Sequence, residues 1–388
     1  MKKIFFILQF FFILNLSFSQ DLKVQFLKGN ITEKTAAVRE GSGQDGKWLT
    51  EEAMSFILKN KEYLENDRDL AALAVATVLS ITPDYILPLN SNEKENLINN
   101  LIKVFNAYSE SNNVQIAVIS KIVSLDKYLP TASFLAILNN YLIEVQPQNA
   151  DSSILHTVIS AVGEIGNNIS FTILYNSLYD RRFANYTGEL ENSIIKLIPN
   201  SRNEVLQIVR SKDISKINKI LALIQKNSQI SQNFLSEVAE NVLNETILMI
   251  DNSSDKNELV NLQIYALQIL NDNKWTRASK TVLAFFELAK KEFKDKLMKE
   301  EHFVQVISSL MNIAPIDSVS PLIKYLGELN SQVENNIEVS QNVALSVINT
   351  LGAIGDKSAF DTLLSVTYLD YSESVLSAAR KALAGLRW

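Results

Sequence analysis

Cysteine is absent from all 388 residues, and histidine occurs only twice. Without thiols there is no disulfide, no thiolate nucleophile and no cysteine-based zinc or iron–sulfur site, so packing alone must hold the fold. Proline and glycine are also sparse, at 7 and 11. A strand-rich sandwich needs denser turn punctuation, and the prevalence of Leu, Ile, Ala, Lys, Glu and Asn favours helices. Lys and Arg number 37 against 43 Asp and Glu. That balance lacks the cationic surplus that phosphate neutralisation needs, so no nucleic-acid partner is expected and anionic membrane surfaces are disfavoured. What the chain has in quantity is apolar residues, 47% against 21% charged, enough for a large core and unlike a disordered composition.

One long hydrophobic run occurs, at the start. MKKIFFILQFFFILNLSFSQ places two lysines before an apolar stretch from Ile4 to Leu16, then Ser17-Phe18-Ser19, with small residues where a signal peptidase prefers them. Thirteen residues at ~1.5 Å each make roughly 20 Å of helix, short of the ~30 Å hydrocarbon core. A cleaved secretory signal, residues 1–19, is therefore expected in preference to a retained anchor. Cleavage removes Lys2 and Lys3 and leaves 35 basic against 43 acidic residues, a net charge of about −8. No thiol is present for lipid attachment. The mature chain is expected to carry no integral membrane segment and to reside in the periplasm, with the cell surface and full secretion as alternatives.

Laid against itself, the chain repeats a string: VISKIVSL at Val118, VISAVGEIG at Val158, VISSLMNIA at Val306 and VINTLGAIG at Val347. The intervals are 40, 148 and 41, and the long one fits four units of 37 with weaker copies at Asn192 and Tyr265. AVATVLSI at Ala74 is an earlier copy. Within the strings apolar residues recur at i, i+4 and i+7, as in Val347, Leu351 and Ile354, which puts them on one helix face. A polar break and a second amphipathic run follow: FTILYNSL from Phe171, SPLIKYL from Ser320, AFDTLLSV from Ala359. Each unit of about forty residues is thus a predicted helical hairpin.

The segment from Val343 to Leu386, with LGAIGD between its two runs and ALAGL at its end, resembles the HEAT repeat, in particular its short bacterial form. The similarity extends to Ile154–Leu178 and Val304–Leu326; elsewhere it rests on periodicity. One departure is Leu376 after Val375, where the family often has arginine, so an arginine ladder is not implied. The stretches Leu27–Glu40 and Asn66–Ile81 add a similarity to exported HEAT proteins of spirochaetes.

The glycines of LGAIGD invite a phosphate-loop reading. A Walker loop needs GxxxxGK[ST] after a strand, whereas Gly352 and Gly355 are three apart, follow a helical pattern, and precede Asp356, whose carboxylate would repel phosphate. They read instead as a corner: Gly355 in the left-handed conformation that ends a helix, Gly352 admitting a close neighbour, and Ser358 with Asp361 as a capping box. Gly163, Gly166 and Asn167 stand at the corresponding places 189 residues earlier, with Asn167 next in tolerance for a left-handed backbone.

Other chemistry finds little support. His156 and His302 fall in different repeats, and the consecutive Glu300, Glu301 and His302 cannot all face one ion on a helix. The run Leu288–His302, with acids four residues before bases at Glu287/Lys291, Glu292/Lys296 and Asp295/Lys299, reads as a solvated helix face. No GxSxG elbow occurs. Phe171, Tyr175, Phe285, Phe286 and Tyr325 fall at core positions.

The expectation is an all-α protein: residues 20–47 a leader containing the polar GSGQDGK, then from 48 to 388 one α-solenoid superhelix of about eight HEAT-like hairpins, closed by a C-terminal capping helix. No catalytic, cofactor or metal residues are assigned. The function expected is an exported, non-catalytic protein–protein interaction scaffold that grips an unidentified protein on a concave face of successive second helices. The alternatives are a HEAT-like enzyme of the lyase or glycosylase type, against which export and acidity argue, and a surface adhesin.

Overall fold

The computed structural model describes residues 22–64, 67–251 and 255–387; the expected signal peptide, residues 1–19, and Trp388 lie outside them. The described residues are helical almost throughout and contain no β-strand, only an isolated bridge between Asp356 and Arg387. They form two compact units, one ending at Ser201 and the other beginning at Arg202.

The first unit opens with helical residues 22–28 and continues through α1 (Ile31–Glu40), α2 (Gly43–Asn60), α3 (Arg68–Ser80), α4 (Pro83–Ile86), α5 (Ser91–Ala107), α6 (Asn112–Ser124), α7 (Ala132–Glu144), α8 (Ser152–Ile165), α9 (Asn168–Ser177) and α10 (Thr187–Leu197). Helices α1, α3, α6, α8 and α10 pack each against the next, and α3, α6, α8 and α10 carry the repeated strings. Their partners α2, α5, α7 and α9 lie beside them. The second unit contains α11 (Arg202–Arg210), α12 (Ile214–Gln225), α13 (Gln232–Met249), α14 (Lys256–Asp272), α15 (Ser279–Lys294), α16 (Glu300–Ile313), α17 (Val319–Glu334), α18 (Gln341–Ile354), α19 (Phe360–Val366) and α20 (Glu373–Ala384). Here α14, α16, α18 and α20 form the consecutive row, with the repeated strings on the first three. The all-α, helical-hairpin repeat expected from the sequence is the architecture of each unit.

Residues 20–47, expected as a leader, depart from that expectation over their described part. Phe26, Ala37 and Val38 are buried, and α1 packs on α3 as the first helix of the row. The polar GSGQDGK marks the α1–α2 turn, within the packed structure. Asn30 caps α1 through a reciprocal bond with Glu33, and Lys34, itself buried, donates to the carbonyl of Phe26. Trp48 seals this end edge-on to Phe26, with ring centroids 6.2 Å apart.

Successive row helices approach closely through small residues. A Cβ on Gly163 would lie 2.6 Å from Ser193 Cβ, and one on Gly352 would lie 2.7 Å from Ala382 Cβ. The same thirty-residue offset in both units marks a common register. Gly355 ends α18 at φ +74°, the left-handed state expected of it. The earlier corner differs. Gly166 has φ −72° and Asn167 φ −127°, so neither is left-handed; Asn167 instead caps α9, its side chain accepting from the Ile169 and Ser170 amides. The Ser358/Asp361 capping box does not form either. Asp356 takes the cap, accepting from the Ser358 amide at 2.9 Å and its hydroxyl at 2.7 Å, because a 3₁₀ turn precedes α19.

Most left-handed corners carry no glycine. Lys212, Lys274, Lys296 and Asn336 have φ of +60°, +47°, +60° and +56°. At three of them a paired backbone pattern closes the helix end: Trp275 N–H to Leu270 carbonyl, Leu297 to Glu292 and Ile337 to Gln332, each at 2.8–2.9 Å. This six-to-one closure satisfies carbonyls the helix would otherwise leave open, which offsets the left-handed strain of roughly 1–2 kcal/mol.

The charged run on α15 is not uniformly solvated. Lys290 pairs with Glu287 at 2.5 Å, but Glu292 is only 3% exposed and neither carboxylate oxygen has a hydrogen-bond partner. Gln263 of α14, wholly buried, has its amide oxygen and nitrogen equally unpartnered. Burial pushes the Glu292 carboxyl up to about 7, opposed only by the Gln263 side chain.

Two outcomes follow. Gly355→Val, which places a β-branched residue at φ +74° with the Gly385 carbonyl 3.2 Å from the new Cβ, should cost about 1–3 kcal/mol and lower the thermal midpoint by about 2–8 °C; calorimetry showing an unchanged midpoint contradicts the corner's role. Glu292 is raised in the folded state, so its neutral form favours folding. Its ionisation penalty sets in above the ordinary value of 4.5 and is complete above about 7. Glu292→Gln should therefore flatten the decline in melting temperature between pH 5 and pH 8, measured against the wild-type chain.

Candidate functional site

The row helices leave grooves between them. In the second unit, α16 and α18 flank a groove of about 650 Å³ that runs from Glu300, Glu301 and Asn342 past Val304, Ser308 and Leu345 to Met311 and Ala353. It continues, through the shared Met311 and Ala353, into a further 540 Å³ bounded by Pro315, Ile316, Lys357 and Arg387. Both volumes lie in the range of sites that hold a small ligand or a short chain segment. The sequence explains the trough: apolar core positions of each helix turn inward, while Ser308 and Ala353, small residues on the outward side, leave room between the ridges.

Geometry gives the trough two charged ends. At one, Asn342 donates to Glu300 Oε1 at 2.6 Å, and bonds from Asn342 and Ser340 hold the Glu300 carboxyl below the usual carboxylate range. At the other, the Arg387 amide donates to the Gly355 carbonyl at 2.8 Å, which sets the Arg387 side chain beside the corner. Lys357 follows Asp356, whose carboxyl the Ser358 hydroxyl and amide hold low. Between the ends the surface is apolar: Met311 is 38% and Ile316 85% exposed. Asn349 and Ser308 add exposed amide and hydroxyl groups along the floor.

The first unit has the register-equivalent groove between α6 and α8, about 470 Å³, lined by Ser120, Val123, His156, Ser160 and Glu164. His156 and Glu164 stand where Leu345 and Ala353 stand in the second unit. Both are engaged: His156 Nδ1 lies 3.1 Å from Glu189 Oε1, and Lys196 Nζ lies 2.5 Å from Glu164 Oε1. A fourth groove, about 360 Å³, lies on the second-helix side, between α2 and α5, with Met54, Tyr85 and Leu97. The sequence predicts a binding surface on second helices, whereas the grooves of about 650, 540 and 470 Å³ flank first helices. Periodicity identifies which residues are buried but not which of two outer faces is furrowed.

Polar rungs link successive row helices where arginines were not implied. Asn112 donates to Asp151 at 2.7 Å, Asn312 to Asn271 at 2.9 Å, and Ser346 to the Val304 carbonyl at 3.2 Å. Lys121 donates to the Leu79 and Ile81 carbonyls at 3.0 Å each, closing the end of α3, and burial lowers its pKa.

The corner residues Gly163, Gly166, Asn167, Gly352, Gly355 and Asp356 hold framework positions, and Gly355 and Asp356 also edge the groove beside Lys357. Among the described residues no cluster of three or more His, Asp or Glu is placed to hold a metal ion. No helix among them is long and apolar enough to cross a membrane.

No family model matches the chain, and no curated protein matches it. Among solved structures, the crystal complex of SYS-1/POP-1 aligns over 92% of this chain and 64% of that one, at 11% identity and a TM-score of 0.25. This chain thus spans less than two thirds of the length of the protein it is laid on.

Proposed function

We propose that this chain is an exported, non-catalytic protein-interaction scaffold of the HEAT-like repeat type, working in the periplasm. The groove along α16 and α18 carries the proposal: an apolar trough with Met311, Leu345 and Ile316 facing outward, on a row of helices braced on its buried side. Exposed apolar surface rimmed by polar groups is the mark of a docking face. Stacked hairpins suit that task, since each contacts only its neighbours and successive units extend one surface. The signal-like residues 1–19 support export, and the acidic composition supports a protein partner over nucleic acid.

Two measurements test it. The mature protein recovered from cells should begin at Gln20 and be released by osmotic shock; a chain keeping Met1 in the cytosolic fraction contradicts export. A photo-crosslinking residue at Ala353 should trap a defined protein in living cells, whereas one at Tyr63, 83% exposed and not part of the groove lining, should not. Equal labelling from both sites, or none from Ala353, contradicts a scaffold acting through this face.

A further inference from the structure

The groove's ends carry opposite charge, and its lining includes the exposed Asn349 amide and the Ser308 hydroxyl, which donates to the Gln305 carbonyl at 3.1 Å and keeps its acceptor capacity. We propose that it binds an extended protein segment of about six residues, basic where it meets Glu300 and Glu301, apolar in the middle, and acidic where it meets Lys357 and Arg387. The inference rests on the scaffold reading above and deepens it.

Length comes first. Helix α18 has 14 residues, or about 21 Å at ~1.5 Å each, which a strand at ~3.3 Å per residue spans in about six. Conformation follows from the floor. An extended segment leaves its backbone amides and carbonyls open, and along the trough Asn349 presents a donor–acceptor amide and Ser308, its proton given to the Gln305 carbonyl, an acceptor to meet them. A helical segment closes its own backbone bonds and has no use for those groups. Apolar character is set by Met311, Leu345 and Ala353 on the walls.

Polarity is set by the ends. Glu300 is pinned by Asn342 and stays ionised, and Glu301 beside it is exposed. Across the trough's length stand Lys357 and Arg387, with Asp356 turned to its own cap on Ser358. Complementary charges at separated points fix register and choose among partners more than they add affinity. The first-unit groove makes the contrast: His156 and Glu164, at the places of Leu345 and Ala353, pair with Glu189 and Lys196 within the fold.

The test uses the full chain and a fluorescein-labelled, end-capped peptide, Lys-Leu-Ser-Leu-Ser-Asp, followed by anisotropy. Replacing the peptide's lysine by norleucine should weaken binding about three- to tenfold on the wild-type chain and less than twofold on Glu300→Gln/Glu301→Gln. Replacing its aspartate by asparagine should weaken binding similarly on the wild type and hardly at all on Lys357→Gln/Arg387→Gln. The cross-combinations should be additive, whichever way the peptide runs, and the discrimination should shrink at 0.5 M salt. All four substitutions lie on the surface, and unchanged melting curves show that the variants fold. Equal binding of all peptides, couplings that do not pair end with end, or no binding at all overturns the proposal. Where Ala353 still traps a defined protein although no peptide binds, the scaffold survives and the charge-polarised extended segment falls; where neither occurs, both fall.

Discussion

The row helices have more apolar surface than one partner can cover, and the rest of the structure depends on that excess. In α8 the buried residues Ile154, Leu155, Val158, Ile159, Ala161 and Val162 occupy successive as well as i+4 positions, so burial extends well beyond a single stripe. Helix α18 repeats the pattern with Val343, Ala344, Val347, Ile348 and Leu351. A hairpin partner hides one side of such a helix. The other side must be met by the next hairpin, which is why α6 to α10, and α16 to α20, are held side by side, and why the closest approaches fall at Gly163 and Gly352. Stability in such an arrangement is a sum over neighbour interfaces.

Much of this was legible beforehand because one interaction type dominates it. Every quoted repeat string lies on a helix, from Ala74 in α3 to Val347 in α18, since burial writes a 3.6-residue period that chance rarely imitates. Gly355 was legible for a similar reason: its backbone state penalises other residues. The departures fall where the deciding interaction is not announced by a residue type: the cap of a following helix, a backbone closure, or a neighbour remote in sequence. Gly166-Asn167 looks like Gly355-Asp356, yet its helix closes with φ −72°, and Asn167 serves the following helix. Lys274, Lys296 and Asn336 turn corners with no glycine to announce them, because the paired backbone bonds after them supply the compensation. Glu292 sits among lysines in the sequence and among buried side chains in space; a helix's outward face is outward only where no neighbour covers it.

Polar groups lie between neighbouring helices on two different terms. The rungs from Asn112 to Asp151, at the surface, and from Asn312 to Asn271, half-buried, are paired, and a paired polar contact between neighbouring helices fixes their axial register, which apolar contacts alone leave loose. Glu292 and Gln263 lie on the other side of that line, buried without good partners. The neutral carboxyl is the form the site tolerates, so the second unit carries a titratable weak point in an otherwise apolar packing layer.

The two register-equivalent grooves show how the framework separates from its lining. Gly163 against Ser193 and Gly352 against Ala382 hold the same close approach, so the backbone geometry of the row is common to both units. What differs is outward and cheap to change: His156 and Glu164 in one, Leu345 and Ala353 in the other. An exposed substitution of this kind typically shifts stability by less than about 0.5 kcal/mol, whereas it alters at once whether the trough meets a partner or pairs with its own next helix. On the proposed reading, recognition rests on the few residues lining a furrow, carried on a repeat whose buried residues are constrained by packing.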